Sequence, residues 1–252
     1  MSQPLVFPLA LLLVLPASPV DAFVYSEDFS TGLGGWDTAG SERNGKSSSL
    51  AHNHIDKRAS YLDTSAGIGY YLAPTVLTGD LSAAYGGTFG FDIIIPDGMD
   101  TGHSDTHLIH MDAFIWATNG DILVIDLNQP TDGSAGESLT TYAIPLHQSA
   151  GWKLLASGVS YSKSRLFSTL NVPSPGAATG TQFQDVLANV SQIGFRAEFS
   201  DGIDSTEGAQ AGSAGFNPES ELDSVVFGIV PEPTAMMLGS LGFLLIVRRR
   251  NR

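Results

Sequence analysis

Thr88-Phe89-Gly90-Phe91-Asp92-Ile93-Ile94-Ile95 places Phe89, Phe91, Ile93 and Ile95 on one face of an extended chain. Side chains alternate across a strand, so a period of two marks a strand with one face on a core. Gln192-Ile193-Gly194-Phe195-Arg196-Ala197-Glu198-Phe199 repeats the pattern. It predicts Ile193, Phe195, Ala197 and Phe199 inward, with Arg196 and Glu198 outward. Asp112–Trp116 and Asp121–Leu127 are denser in apolar residues and read as central strands. Leu222–Ile229 reads as the closing strand. Clusters of Gly, Asn, Asp, Pro and Ser punctuate these runs at Asp37–Ser49, Pro96–Ser104, Gln129–Glu137, Pro173–Thr181 and Asp201–Ser220. Helical spacing occurs only in Thr181–Val190, through Phe183, Val186, Leu187 and Val190. Many short strands joined by glycine-rich turns predict an all-β fold, a β-sandwich or jelly roll.

The two ends have different compositions from this body. Phe7–Leu15 is an apolar core interrupted by Pro8, and Pro16, Ser18 and Pro19 break it. Val20-Asp21-Ala22 then offers the side chains a signal peptidase reads, although Met1–Pro4 lacks Lys and Arg. Residues 1–22 are therefore expected to be a signal peptide, with Phe23 as the new N-terminus. At the other end, Val230-Pro231-Glu232-Pro233 forces an extended segment. An uncharged run of 14 residues, Thr234–Val247, follows it, and then Arg248-Arg249-Arg250-Asn251-Arg252. A membrane-spanning helix needs about 20 apolar residues, so this one is short. The basic cluster is expected to remain on the cytoplasmic side. The order Pro231, Glu232, Pro233, apolar helix, Arg248, Arg249, Arg250 resembles the PEP-CTERM sorting signal of Gram-negative bacteria. That resemblance implies processing by an exosortase-type transpeptidase and delivery to the cell surface or extracellular matrix. A plain C-terminal membrane anchor is the alternative.

Residues 23–229 form the body, within the size range of one all-β domain. The chain holds 12 basic and 26 acidic residues. Four of the arginines lie in the tail, and Asp21 and Glu232 lie outside the body. The body thus carries 8 basic against 24 acidic residues, a net of −16. Such a surface excludes nucleic acid as a partner, because phosphates require Lys and Arg. It favours solubility and cations. The chain contains no cysteine, which excludes thiol catalysis, disulfides and Cys-ligated zinc.

Tyr70-Tyr71-Leu72-Ala73-Pro74-Thr75-Val76-Leu77-Thr78-Gly79-Asp80 leads into Ser82-Ala83-Ala84-Tyr85-Gly86-Gly87-Thr88-Phe89. Pro74 restricts Ala73 to extended conformations. Gly79-Asp80 is a turn, and Gly86-Gly87 permits backbone geometry closed to other residues. This block resembles the laminin domain IV module. Phe29-Ser30-Thr31-Gly32-Leu33-Gly34-Gly35-Trp36 fits its opening segment, and Tyr142-Ala143-Ile144-Pro145-Leu146 followed by Trp152 fits a later one. Leu222-Asp223-Ser224-Val225 resembles its closing "LDNV", with Ser in place of Asn. The resemblance implies a jelly-roll sandwich of the galactose-binding-like kind, extracellular and structural or binding in role, with no catalytic centre to carry over. It also implies that the first and last strands meet. That would bring Glu27 and Asp28 near Glu221 and Asp223, an oxygen cage for structural Ca²⁺.

Other constellations carry less. His103, His107 and His110 lie among Asp100, Asp105 and Asp112, in a stretch of turn residues rather than a helix. His52 and His54 alternate, as on one strand face. Asp97-Gly98-Met99-Asp100 lacks the order of an EF-hand loop. Trp36, Trp116 and Trp152 read as core. No nucleophile elbow or phosphate-binding glycine motif occurs, and no spacing selects a glycosidase dyad. The expected function is a non-enzymatic surface or matrix module, structural or adhesive. The alternatives are a carbohydrate-binding module for exopolysaccharide and a hydrolase with an unrecognised site. The expected partners are signal peptidase and exosortase during export, then exopolysaccharide or matrix proteins.

Overall fold

The computed structural model describes residues 24–40, 49–62, 69–99, 112–155, 176–199 and 218–228. Among these residues, the strands form two antiparallel sheets of six and seven strands. The first sheet runs β3 (Ser49–Asn53), β4 (Arg58–Leu62), β13 (Ser220–Gly228), β6 (Thr88–Ile95), β9 (Ser138–Pro145). Its sixth strand, β1 (Val24–Glu27), pairs with the second half of β13, while β4 pairs with the first half. The second sheet runs β11 (Gly176–Ala177), β10 (Lys153–Leu155), β8 (Ile122–Ile125), β7 (Ala113–Ala117), β12 (Val190–Arg196), β5 (Gly69–Leu72), β2 (Asp37–Gly40). The predicted all-β sandwich is the fold observed. Among the described residues there is one short α-helix, α1 (Gly180–Leu187), whose N-terminus is fixed by Thr179 and Gln182 in a capping box. It buries Phe183, Val186 and Leu187, while Val190 already belongs to β12.

The period-two reading places the core correctly. Phe89, Phe91, Ile93 and Ile95 of β6 are all buried in it, as are Ile193, Phe195, Ala197 and Phe199. Phe195 sits at its centre. Its ring stacks on Phe91 at 4.0 Å between centroids and meets Tyr71, Trp36 and Phe89 at 5.4, 5.6 and 5.7 Å. The two sheets and the turn carrying Trp36 thus share one aromatic cluster.

The second sheet is apolar on its other face as well. Tyr70, Leu72, Phe114, Ile122, Val124 and Leu155 form a second buried cluster there. This explains the density of the β7 and β8 sequences, whose residues are buried on both faces. Gly194 makes room for that layer. A Cβ on it would stand 2.5 Å from the Phe114 ring and 2.9 Å from the Tyr71 carbonyl.

Three expectations need correction. Asp37–Gly40, grouped with turn residues, is β2, an edge strand formed by pairing with Gly69–Leu72. Arg196 and Glu198 are not solvent-facing. Glu198 is 6% exposed, and the Arg196 side chain is 11% exposed beside Asp112. Of the two turn glycines, only Gly86 has a left-handed backbone, with φ of +83°. Its N–H donates to the Leu146 carbonyl at 2.9 Å, and the Leu146 N–H returns to the Gly87 carbonyl. The pair therefore ties the start of β6 to the end of β9.

Candidate functional site

The first and last strands do pair, with Glu27 opposite Val225. The four acids assigned to Ca²⁺ nevertheless do not converge. Glu221 lies four residues from Val225 along β13, roughly 13 Å at strand rise. It is buried and already satisfied by protein donors. Asn53 Nδ2, Arg58 Nη1 and Ser60 Oγ donate to its two oxygens at 3.0, 2.9 and 2.7 Å. Glu27 Oε1 accepts the N–H groups of Asp28 and Phe29 at 3.1 and 2.8 Å. Asp28 accepts from the Ser30 N–H, which holds its carboxyl below the usual range. Asp223 stands opposite Asp92 of β6 and accepts from Ser224 Oγ at 3.3 Å. Among the described residues, no group of three or more His, Cys, Asp or Glu is placed to hold a metal ion. The physical reason is that the Arg58 guanidinium, rather than a metal ion, neutralises Glu221.

Among the described residues, a hollow lined by charged and aromatic residues lies at the end of β12. Phe91, Asp112, Asn128, Tyr142, Arg196 and Phe199 line it. Sequence reasoning did not single out this group, because its members come from five separate segments. Asp112 immediately precedes β7 and Arg196 ends β12, and the Arg196 N–H donates to the Asp112 carbonyl at 2.7 Å. Asp112 Oδ2 accepts from the Leu127 N–H at 2.7 Å, and its Oδ1 lies 3.6 Å from Arg196 Nη1. Arg196 Nε donates to the Glu198 carbonyl at 2.5 Å, and the guanidinium stands 5.5 Å from the centre of the Phe199 ring. Tyr142 Oη donates to the Asn128 carbonyl at 2.8 Å. The hollow is therefore preorganised: a guanidinium and a carboxylate, their positions fixed from the backbone, lie beside largely buried aromatic residues.

Burial pushes the Asp112 carboxyl up to about 6, and Asp126 adds to the rise against the Leu127 N–H and Arg196. The folded chain therefore keeps a proton on Asp112 that the unfolded chain releases near pH 4. Its ionisation opposes folding above about pH 6, and acidification from pH 7 towards pH 4 removes the penalty. We expect Asp112→Asn to lose its stability advantage over the parent by about 2 kcal/mol between pH 7.5 and 4.5. Urea unfolding of both proteins at the two pH values measures this difference. Carboxylates held low, such as Asp28 and Asp80, shift both proteins equally. A pH-independent difference would mean that Asp112 is solvated like a surface acid.

The remaining candidates separate clearly. Trp36 and Trp152 are core residues, 4% and 0% exposed, with their indole N–H groups donating to Tyr25 Oη and the Pro145 carbonyl. Trp116 is half-buried against the outer cluster of the second sheet. Asp97-Gly98 forms a tight turn in which the Met99 N–H donates to the Pro96 carbonyl. His52 and His54 meet, with their Nδ1 atoms 3.0 Å apart. Asp100, His103, Asp105, His107 and His110 lie outside the described residues, as do both chain ends, including Pro231, Glu232, Pro233, Arg248, Arg249 and Arg250. Among the described residues, no helix is long and apolar enough to cross a membrane.

A two-sheet antiparallel sandwich with an aromatic and charged hollow at one end defines the class, a β-sandwich module. The sequence profile of the laminin B (domain IV) family matches residues 70–208, more than half of the chain, and the chain belongs to that family. Phe29–Trp36 and Leu222–Val225, which the resemblance also takes in, lie outside the matched span. Among solved structures, the chain is similar to the L4b domain of human laminin alpha-2. The TM-score is 0.50 at 16% identity, covering 82% of this chain and 97% of that one. A family 11 carbohydrate-binding module from the Clostridium thermocellum cellulosomal cellulase Lic26A-Cel5E gives a TM-score of 0.37 at 15% identity, covering 81% and 94%. At these identities the likeness is one of fold. No curated protein sequence matches the chain.

Proposed function

We propose that this chain is an exported, non-enzymatic module of the cell surface or extracellular matrix, structural or adhesive in role. The observation that carries the reading is membership of the laminin B (domain IV) family across residues 70–208. On this reading residues 1–22 are a signal peptide, residues 23–229 the functional sandwich and residues 230–252 a PEP-CTERM signal. Pro231, Glu232 and Pro233 precede the membrane helix 234–247, and Arg248, Arg249 and Arg250 hold it for an exosortase-type transpeptidase. The order of those three features in the sequence supports this part.

Intact mass of surface-extracted protein tests the proposal. We expect a species that begins at or near Phe23 and ends close to Val230–Pro233. Neutral replacements at Arg248, Arg249 and Arg250 are expected to disturb sorting while the sandwich still folds. A mature surface species that retains Arg248–Arg252 overturns the processing scheme. A second reading is binding of exopolysaccharide. A glycan array separates the two: saturable binding of a polysaccharide selects the second, and no binding leaves the first.

A further inference from the structure

We propose that His52 and His54 form a two-imidazole site for a late first-row divalent cation, Cu²⁺ or Zn²⁺, at the edge of the first sheet. His52 is in β3, the edge strand, and His54 is in the turn that follows. Their Nδ1 atoms are 3.0 Å apart, with the rings nearly perpendicular at 80°. Two imidazole nitrogens, each about 2.0–2.1 Å from one ion, stand roughly 2.9–3.4 Å apart for bond angles from square-planar to tetrahedral. The observed separation already falls in that interval.

The His52 ring is held from behind. His52 Nε2 lies 2.8 Å from the Phe29 carbonyl, which only accepts, so that nitrogen carries the proton. The Nδ1 of a neutral His52 then presents its lone pair. A ligating histidine whose other ring N–H donates to a backbone carbonyl is the arrangement that fixes the tautomer at metal centres. Phe29 supplies that carbonyl from a left-handed backbone, with φ of 52°. A buried aromatic residue keeps such a conformation only when its surroundings enforce it. Here the Glu27 carboxylate receives the Phe29 N–H, and the ring is fully buried.

The turn bearing His54 is clamped by Asn53. Its Oδ1 accepts the Ile55 and Asp56 N–H groups at 3.1 and 3.2 Å, and its Nδ2 donates to Asp56 and Glu221 at 2.9 and 3.0 Å. The pair is thus preorganised on its two sides, and the surrounding body, net −16, concentrates cations. No third His, Cys, Asp or Glu completes a cluster among the described residues. Water fills the remaining positions, giving an open, exposed site. Imidazole donors without thiolates select Cu²⁺ and Zn²⁺ over Ca²⁺ or Mg²⁺. In the apo form the His54 Nδ1–H donates to His52. An ion replaces that shared proton, which moves to the solvent-facing nitrogen of His54.

The test uses the full-length chain in mild detergent, stripped with EDTA and titrated with CuCl₂ and ZnCl₂ by calorimetry. His103, His107 and His110 are changed to Asn to remove other imidazoles. One equivalent of Cu²⁺ is expected, with two nitrogen ligands in the electron paramagnetic resonance spectrum. His52→Asn or His54→Asn is expected to weaken binding about tenfold or more, and His147→Asn to leave it unchanged. His54 is exposed, so its variant decides the matter if His52→Asn fails to fold. Equal affinity in His54→Asn, or no binding in the parent background, would show a hydrogen-bonded surface pair only.

Discussion

Arg58→Met is expected to destabilise the sandwich by about 3–5 kcal/mol. Arg58 begins β4, and its Nη1 lies 2.9 Å from Glu221 of β13, a residue whose side chain is 6% exposed. The same guanidinium reaches Glu137, whose side chain is 53% exposed, at 2.9 and 3.1 Å. The two contacts are not equivalent. Screening by water makes the Glu137 contact worth little. Removing Arg58 leaves Glu221 as a buried charge with only the neutral donors Asn53 and Ser60, and that residual charge is the source of the cost. Replacing both partners removes it. Arg58→Met combined with Glu221→Leu is therefore expected to recover at least half of the loss, even though one more polar group is deleted. Glu137→Gln is expected to change stability by about 0.5 kcal/mol or less. Urea unfolding of the set, read as a double-mutant cycle, measures the coupling. A double variant as unstable as the sum of the singles would mean that Glu221 is solvated, contrary to its burial.

This network also shows where sequence reading stops. Asn53 and Glu221 are 168 positions apart, and no local pattern announces their contact. Period-two alternation was legible in β6 and β12 because each has one face on the core, so solvent and burial write opposite letters. It failed for β2, where Asp37-Thr38-Ala39-Gly40 has no apolar alternation and becomes a strand only because β5 offers it backbone partners. It also failed at Arg196 and Glu198. Alternation separates one face from the other but does not say whether the second face meets water. The implied meeting of first and last strands was right, yet pairing fixes backbone neighbours and not where side chains aim. Glu221 therefore turned to Arg58 instead of Glu27. The closing "LDSV" held a usable signal. Ser224 has a left-handed backbone, φ 49°, at the bulge where β13 shifts register against β6. Asn adopts that conformation more readily than most residues, which accounts for Asn in the family pattern at this position. The hollow at the end of β12 was illegible for the same reason as the Glu221 network, since Asp112, Tyr142 and Arg196 meet only in three dimensions.

Phe195→Ala is expected to cost about 3–5 kcal/mol, a large fraction of the stability of a domain this size. The ring is fully buried and lies between the sheets. It stacks on Phe91 of β6 with 12° between planes, and it meets Phe89 of the same strand edge-on. From its own sheet it touches Tyr71 of β5, and from the turn after β1 it touches Trp36. The loss has two parts: transfer of the ring to solvent in the unfolded chain, and a cavity that the two neighbouring strands and a turn are too constrained to close. Rings held by backbone pairing cannot drop into the space without breaking ladder hydrogen bonds. Phe195→Leu keeps most of the volume and is expected to cost about half as much. A shape term remains, because a branched side chain cannot stack on Phe91. Near-ultraviolet circular dichroism adds a readout that separates packing from unfolding. Trp36 and Tyr71 are expected to lose fine structure in Phe195→Ala at temperatures where the far-ultraviolet strand signal is intact. A loss below about 1.5 kcal/mol with an unchanged near-ultraviolet spectrum would place the centre of the core elsewhere, away from the β6–β12 contact on which the two alternating segments converge.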